Sequence, residues 1–149
     1  MTMIENELEV FADGLANCFE SFSDETAAIG TPFLTENIND YLEEFTGCIR
    51  VSGTHNGAVY FTVTAPLLKN LLWSMKVLDN KKSSLSDLVG EISNIVSGSA
   101  RSEFGDKFYI SVPVILDDKY IESIETESMY YIIPVIWRHL KANLIINLQ

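Results

Sequence analysis

Two β-prone runs joined by Asn-Gly constrain the fold of this chain more than any other feature of its sequence. Apolar and polar side chains alternate over residues 49–54, and residues 58–63 are rich in β-branched and aromatic side chains. Asn56-Gly57 lies between the runs, and this dipeptide favours a tight hairpin turn because both of its residues accept a positive φ. We therefore predict an antiparallel β-hairpin over residues 48–64.

Three segments with an amphipathic pattern predict helices on either side of this hairpin. Residues 5–22, 66–75 and 85–104 carry apolar side chains at spacings of three and four, which place those side chains on one side of a helix. Thr64 is placed to cap the second helix, and Pro66 suits its first turn because no backbone hydrogen-bond donor is needed there. Each helix therefore has one face to bury.

The C-terminal third of the chain is dominated by strand-like runs. They cover residues 108–116, 129–137 and 142–148; a polar turn over residues 139–141 joins the last two, and residues 117–128 form an acidic connection. Runs of strands interrupted by helices favour an α+β fold, in which a mostly antiparallel β-sheet carries long helices packed on it. The length of 149 residues suits a single domain that spans the whole chain.

Charge and hydropathy exclude several classes of partner. The chain has 10 Lys and Arg against 21 Asp and Glu, a formal net charge of −11, whereas nucleic-acid and anionic-lipid binders depend on clustered cations. The longest apolar run, residues 129–137, is far shorter than the roughly 20 residues that cross a bilayer. The acidic N-terminus lacks the pattern of a signal peptide. We expect a cytoplasmic protein that binds neither nucleic acid nor membrane.

Metal-binding and common catalytic motifs are missing from the sequence. Cys18 and Cys48 form no CxxC pair, and only His55 and His139 stand beside them as nitrogen ligands. We therefore predict no metal site and two reduced, buried cysteines. Each histidine falls in a predicted turn, where we expect a solvated side chain. Glycine-rich phosphate loops and the nucleophile elbow of serine hydrolases are also missing.

The third predicted helix carries the most informative pattern in the chain. At about 100° per residue, its apolar side chains share one broad face. That face comprises Leu85, Leu88, Val89, Ile92, Ile95, Val96 and Ala100. A narrow strip on the opposite side, here called the polar stripe, comprises Asp87, Glu91, Asn94, Gly98 and Arg101. One line along this helix therefore presents two carboxylates, an amide, a bare glycine and a guanidinium.

The residue types in the polar stripe are unusual for a solvated helix face. Asn94 is a poor helix former because its amide competes with the backbone, and Gly98 costs about 1 kcal/mol relative to alanine in a helix interior. Further small side chains lie nearby, at Gly90, Ser93, Ser97 and Ser99. Weak helix formers at these positions indicate that a partner approaches the helix backbone closely and that the small side chains leave room for it.

A purely structural interpretation of the stripe stays open on spacing alone. Ser84 and Asp87 have the spacing of a capping box, so Asp87 could serve only the start of the helix. Glu91 could be an ordinary exposed carboxylate, and a short ExxN match arises by chance in many chains of this length.

The stripe resembles the signature helix of the CheC/CheX/FliY phosphatases of bacterial chemotaxis. It reads Asp87-x-x-x-Glu91-x-x-Asn94 and continues with residues 95–101, a small-residue stretch that has a glycine four positions after the asparagine. The hairpin, the helix after it and the closing strands follow the order of that family, so the resemblance extends over residues 45–149. One copy of the motif is present, which resembles the CheX branch, whereas the CheC branch typically carries two. The resemblance implies a CheC/CheX-like domain.

This resemblance also implies an activity and a partner. Members of the family hydrolyse the aspartyl phosphate of a CheY-like receiver domain of a response regulator. By motif position, Glu91 would pair with the active-site lysine of the receiver, and Asn94 would hold the attacking water in line with phosphorus. Asp87, Gly98 and Arg101 would contact the partner around this pair. The chain would need no cofactor of its own, because Mg²⁺ is bound by the partner receiver domain.

Two other functions stay open at this level. The same stripe could dock on a receiver or on a flagellar-switch component without catalysis, or it could face solvent in a structural or sensory domain. The family resemblance further implies a homodimer, for which residues 142–148 could supply a sheet edge.

Overall fold

The computed structural model describes residues 5–117 and 128–149, so the predicted acidic connection lies largely outside the described residues. Its helices are α1 (Glu5–Ser23), α2 (Ala65–Ser74) and α3 (Lys82–Phe104), with a 3₁₀ turn at Asn39–Tyr41. Its strands are β1 (Ala28–Ile29), β2 (Phe33–Thr35), β3 (Phe45–Gly53), β4 (Gly57–Val63), β5 (Phe108–Ile110), β6 (Val114–Leu116), β7 (Tyr130–Trp137) and β8 (Leu140–Leu148).

All eight described strands belong to one antiparallel sheet. The strand order is β1-β7-β8-β4-β3-β5, with β2 also paired to β7 and β6 also paired to β3. The long hairpins β3–β4 and β7–β8 form the centre, where β4 pairs with β8 from Gly57 opposite Leu148 to Val63 opposite Ala142. This arrangement confirms the predicted α+β fold with its mostly antiparallel sheet.

The three described helices cover one face of the sheet and form the main hydrophobic core with it. Phe19 of α1 packs edge-on against Phe61 of β4 and Trp137 of β7, at ring-centroid distances of 6.4 and 6.0 Å. A smaller cluster lies on the opposite face, where Ile38 packs with Tyr60 and its neighbours. The helices therefore bury one side each against the sheet and present the other side to solvent.

Two glycines allow α3 to lie close to its neighbours. Gly47 of β3 lies against Ser93, so closely that a Cβ added to the glycine would stand 2.6 Å from the serine Oγ. Gly14 of α1 lies against Ser99, and the corresponding distance to the Ser99 Cβ is 3.3 Å. The missing side chains therefore set the position of α3 relative to both the sheet and α1.

The first hairpin forms as predicted, but its turn does not. β4 begins at Gly57, so the connection consists of residues 54–56. Asn56 pairs instead with Gln149 after β8, through two backbone hydrogen bonds of 3.0 Å. The positive φ angles fall at Gly53 (94°) and Gly57 (146°), where an added Cβ would collide with backbone oxygens. The prediction that Asn56-Gly57 forms the centre of the turn is wrong because the neighbouring strand β8 engages the Asn56 backbone.

The edge beside β3 consists of two strands, although the sequence predicts one run over residues 108–116. β5 and β6 both pair with β3, but residues 111–113 stand opposite only two residues of β3. Pro113 has no backbone N–H to continue the ladder, and the backbone of Arg50 exchanges hydrogen bonds of 2.9 Å with Ser111 instead. The extra residue therefore produces a bulge that separates the two strands.

The turn between β7 and β8 consists of Arg138 and His139 and not of residues 139–141. Both residues have a positive φ, 51° and 64°, as a two-residue hairpin loop of the favoured type requires. The strand β8 therefore starts at Leu140, two residues earlier than predicted.

The position of β8 contradicts the expectation that residues 142–148 supply a sheet edge for a dimer. β8 lies between β7 and β4, and residues 142–146 are paired on both sides, so most of the segment 142–148 provides no free edge. The edges of the described sheet are β1–β2 on one side and β5–β6 on the other. A dimer built on sheet edges would have to use one of these.

The starts of α2 and α3 also differ from the prediction. Thr64 occupies the N-cap position of α2, but its hydroxyl donates to the Lys141 carbonyl at 3.3 Å and does not cap the helix. The Glu44 carboxylate accepts from the Ala65 N–H at 3.0 Å instead. α3 begins at Lys82, three residues before the predicted start, so the helix gains almost one turn.

Candidate functional site

The polar stripe lies on the side of α3 that faces away from the core. Asp87, Glu91, Asn94 and Arg101 are exposed and Gly98 is half-buried. Most residues of the predicted apolar face are buried against the sheet and the other helices. Successive stripe residues are three or four positions apart, so their side chains follow one line along the helix. The structure thus places all five residues together on one solvent-facing side.

Ile95 is the exception on the predicted apolar face. Its exposed fraction is 37%, whereas Ile92 and Val96 are fully buried. Ile95 borders the stripe next to Asn94, so an apolar side chain is accessible to a partner beside the amide.

Glu91 and Asn94 are one helical turn apart and both are available to a partner. Within residues 5–117 and 128–149, neither side chain forms a hydrogen bond or an ion pair. A partner can therefore bind the carboxylate and the amide without first breaking a contact within the described chain. This availability is what a binding or catalytic pair at the surface requires.

The charge of Glu91 acts on the neighbouring helix α1. Burial raises the pKa of the Cys18 thiol to about 12, and the carboxylate of Glu91 adds to that shift. Burial also raises the pKa of Cys48. Both cysteines are free and buried, as predicted. Their raised pKa values keep the thiols protonated near neutral pH, and a protonated thiol is a poor nucleophile.

Most of the small residues near the stripe face inward, so the prediction that they leave room for a partner is wrong. Ser93 is buried against β3, and its Oγ donates to the Val89 carbonyl at 2.8 Å. Ser97 is buried as well, and Ser99 contacts Gly14 of α1. The small size of these residues therefore serves the close packing of α3.

Gly98 differs from these residues because the space beside its Cα is not filled by other atoms of the described chain. A Cβ added to Gly98 would meet no atom within 4 Å, whereas one added to Gly47 would collide with its neighbours. Packing within the described chain therefore does not require glycine at position 98, although glycine weakens a helix by about 1 kcal/mol relative to alanine. At Gly98 another molecule can reach the backbone of α3.

A shallow depression of about 340 Å³ borders the stripe on the side of β5. It is lined by residues of the stripe and of the segment that follows α3: Asn94, Gly98, Arg101, Ser102, Gly105, Asp106 and Ile110. The chain leaves the helix at Gly105, whose φ of 98° favours glycine, and returns beside α3. The helical pattern alone does not identify Asp106 or Ile110 as neighbours of the stripe, and the glycine at the helix end is the only local signal.

Asp87 does not cap α3. Asp79, which precedes the helix, accepts hydrogen bonds from the Lys81 N–H at 3.0 Å and from the Ser84 hydroxyl at 2.9 Å. These two hydrogen bonds, in that order of importance, lower the pKa of the Asp79 carboxyl. Asp87 lies beyond the first turn of the helix and is exposed, so its interpretation as part of a capping box is wrong.

His55 takes part in packing contacts away from the stripe. Its Nε2 contacts the carboxylate of Glu7 in α1, and its ring packs against Phe104 and Phe108 at centroid distances of 5.1 and 5.6 Å. The prediction that His55 is a solvated turn residue is therefore wrong. His139, by contrast, is exposed in its turn as expected.

The described residues contain neither a metal-binding cluster nor a membrane-spanning helix. Among residues 5–117 and 128–149, no group of three or more His, Cys, Asp or Glu side chains is placed to hold a metal ion. None of the helices in the same part of the chain is both long and apolar enough to cross a membrane. The stripe itself offers hydrogen-bond donors, hydrogen-bond acceptors and charges of both signs.

The chain matches a known protein family over its central part. The family described as chemotaxis phosphatase CheX matches residues 45–135. This matched part contains α2, α3 and therefore the whole polar stripe. No curated protein sequence matches the chain.

Solved structures share the fold over nearly the whole chain. The chemotaxis protein CheX from Desulfovibrio desulfuricans is 20% identical, with a TM-score of 0.79 over 97% of this chain and 99% of its own. CheX from Borrelia burgdorferi, solved in a complex with CheY, BeF3 and Mg²⁺, is 15% identical, with a TM-score of 0.74 over 96% of this chain and 97% of its own. The FliM middle domain from Vibrio alginolyticus is 10% identical, with a TM-score of 0.66 over 94% of this chain and 92% of its own.

Proposed function

Because the chain belongs to the CheX family of chemotaxis phosphatases, we propose that it hydrolyses the aspartyl phosphate of a CheY-like receiver domain. The observation that best supports this proposal is the pair Glu91 and Asn94. The two residues stand one turn apart on an exposed helix face, and their side chains make no hydrogen bond within the described residues. The Borrelia burgdorferi CheX has been solved with CheY, which gives a precedent for the kind of partner.

Asn94 would position the attacking water. Its amide both donates and accepts hydrogen bonds, so it can hold one water molecule in a single orientation. The water oxygen attacks phosphorus while the bond between phosphorus and the aspartyl oxygen breaks; this releases inorganic phosphate and the free carboxylate, and the water proton passes to the product phosphate or to solvent. An acyl phosphate is already activated, so orienting the water is the step that this chain contributes.

Glu91 would anchor the receiver through its active-site lysine. A carboxylate and an ammonium group form a charge-assisted hydrogen bond, which is stronger than a neutral one. That contact places Asn94 against the phosphoryl group, and Asp87, Gly98 and Arg101 would contact the receiver around it. The receiver would supply the Mg²⁺ that stabilises the phosphoryl oxygens, so this chain would need no cofactor of its own.

Release of inorganic phosphate from a phosphorylated receiver tests the proposal. We expect the parent protein to speed the release and Asn94→Ala to lose about 10- to 100-fold of that acceleration. Asn6→Ala is the matched control, because it removes the same side chain from an exposed position of α1. Hydrolysis by Asn94→Ala at the parent rate would contradict the mechanism.

A non-catalytic docking module is the alternative function. The FliM middle domain shares this fold, so the fold alone does not decide the activity. Such a module would bind the phosphorylated receiver through the same stripe without speeding hydrolysis. Titration calorimetry beside the phosphate-release measurement separates the two functions, since binding without turnover supports the module.

We also propose a homodimer and a cytoplasmic location for the chain. A dimer built on sheet edges would use β1–β2 or β5–β6, whose exposed apolar side chains include Phe33, Leu34 and Val114. Light scattering over a range of concentrations measures the mass in solution, and a monomer at every concentration contradicts the dimer. Cell fractionation tests the location.

A further inference from the structure

Charge is unevenly distributed along the polar stripe. Asp87 and Glu91 occupy its N-terminal half, and Arg101 occupies its C-terminal end. Arg101 is ten residues after Glu91, which corresponds to about 15 Å along the helix axis. A partner that lies along the stripe therefore meets negative charge at one end and positive charge at the other.

Arg101 is available to a partner. Its side chain is exposed, and within the described residues it forms no hydrogen bond or ion pair. Asp106 lines the same depression, yet the two opposite charges do not form an ion pair in the part of the chain that the structure describes. Gly98 places no side chain between Asn94 and Arg101, so the surface between them is open.

We propose that Arg101 binds a surface carboxylate of the receiver domain and that the depression beside Arg101 accommodates the segment that carries this carboxylate. The inference rests on the proposed function, because it assumes that Asn94 faces the phosphorylation site. Arg101 is seven residues after Asn94, about 10 Å further along the helix, so the carboxylate lies outside that site. A guanidinium presents parallel N–H donors that match the two oxygens of a carboxylate.

Charged contacts at both ends of the stripe determine the direction in which the receiver docks. Glu91 takes a cation and Arg101 takes an anion, so a receiver turned end for end meets like charges at both positions. Like charges in contact cost free energy and suppress incorrect docking geometries. Arg101 therefore determines specificity and affinity, while Asn94 acts on the chemical step.

The carboxylate of Asp106 allows the charge of the receiver group in the depression to be tested. Its carboxylate shares the depression with Arg101, so it repels the same receiver carboxylate. Removal of the negative charge at position 106 tightens binding, whereas removal of the positive charge at position 101 weakens it. A cationic group of the receiver in the depression would reverse both effects.

Binding and turnover of Arg101→Gln and Asp106→Asn test this inference. Lys107→Gln is the control, because it removes an exposed cation that does not line the depression. The partner is a CheY receiver, phosphorylated for turnover and loaded with beryllofluoride and Mg²⁺ for binding. We expect Arg101→Gln to raise KM and Kd about fivefold with kcat unchanged, and Asp106→Asn to lower both about twofold, as for an exposed ion pair. Lys107→Gln should change neither constant.

Ionic strength separates a charged contact from a structural role of Arg101. Added salt should weaken binding of the parent toward that of Arg101→Gln, and the variant itself should respond less, because salt screens exposed charges. Arg101→Lys should recover part of the affinity. An unchanged Kd for Arg101→Gln, or shifts of the same sign for Arg101→Gln and Asp106→Asn, overturns the inference.

The same measurements distinguish this inference from the proposed function. If the parent binds the receiver without hydrolysing it, the proposed function fails and the Kd values still decide the role of Arg101. If Asn94→Ala loses turnover while Arg101→Gln keeps the parent Kd and KM, the proposed function stands and the inference fails. If the parent does not bind the beryllofluoride-loaded receiver, both fail.

Discussion

Ser93 of α3 lies directly against Gly47 of β3. A Cβ added to Gly47 would stand 2.6 Å from the Ser93 Oγ, closer than such atoms approach in folded proteins, and 3.0 Å from a methyl carbon of Val89, which is a tight contact. This contact seats α3 on the sheet. It therefore determines how far the polar stripe stands out from the body of the domain.

Gly47→Ala is expected to destabilise the fold by about 1–3 kcal/mol, because the helix must move or its side chains must leave their preferred rotamers. Ser93→Ala removes the closer of the two obstructing atoms, so the double variant should recover part of that loss. Urea unfolding of the single and double variants measures the coupling between the two positions. An unchanged unfolding midpoint for Gly47→Ala would contradict the contact.

Gly98→Ala is expected to change stability and function in opposite directions. The new methyl group meets no atom of the described chain, and alanine favours the helix by about 1 kcal/mol, so the melting temperature should rise. The same methyl stands on the surface that the receiver would approach, so KM for the phosphorylated receiver should rise as well. Gly14→Ala is the matched control: it gains the same helix propensity, but its Cβ would lie 3.3 Å from the Cβ of Ser99, so its melting temperature should rise less than that of Gly98→Ala. If Gly98→Ala keeps the KM of the parent, the receiver does not approach the helix backbone closely at this position.

The factor by which Asn94 speeds dephosphorylation of the receiver is expected to be independent of pH between about 6.5 and 8, because a side-chain amide does not titrate in this range. Asn94→Asp keeps the shape but sets a carboxylate beside the phosphoryl anion, so the acceleration should fall by about tenfold or more. Stopped-flow phosphate release, with the receiver alone as the blank at each pH, gives the ratio of catalysed to spontaneous rate. A ratio that rises tenfold per pH unit would indicate a titrating base in place of a positioning amide.

Cys18 is expected to weaken the fold at alkaline pH. Its pKa is raised from the ordinary value of 9.0 to about 12, first by burial and then by the charge of Glu91. The thiol therefore ionises earlier in the unfolded chain, so its contribution to stability is complete below pH 9.0 and is lost as the pH rises toward about 12. Cys18→Ala should reduce this decline, as measured by urea midpoints at about pH 8 and about pH 10. The same decline in parent and variant would show that another group causes it.

The polar stripe could be placed from the sequence because helical spacing is a local property. Side chains three and four residues apart share one face of a helix whatever that helix packs against. The predicted helix over residues 85–104 therefore puts Glu91 and Asn94 on the exposed side, as the structure does. The apolar pattern does not predict the first residues of this helix, because hydrogen bonds to Asp79, ahead of the helix, support an earlier start.

The turn positions could not be predicted from the sequence because they depend on strands that are distant in the chain. Asn56 has the local preference for the centre of a tight turn, but its backbone pairs with Gln149. The local sequence predicts a solvated His55 for a similar reason, since nothing near it in sequence indicates that Glu7, Phe104 and Phe108 surround its ring. In both cases a contact between distant segments outweighs the local preference.

The sequence by itself determined the α+β class and the line of polar residues on α3, because both follow from the periodicity of apolar side chains along the chain. Only the tertiary structure decided which small residues of α3 are used inside the domain and which face a partner. Ser93 and Ser99 pack against β3 and α1, while Gly98 stays open, and this difference depends on the element that lies on each side of the helix. The depression that joins Asn94 to Asp106 likewise exists only because the chain returns beside α3 after Gly105.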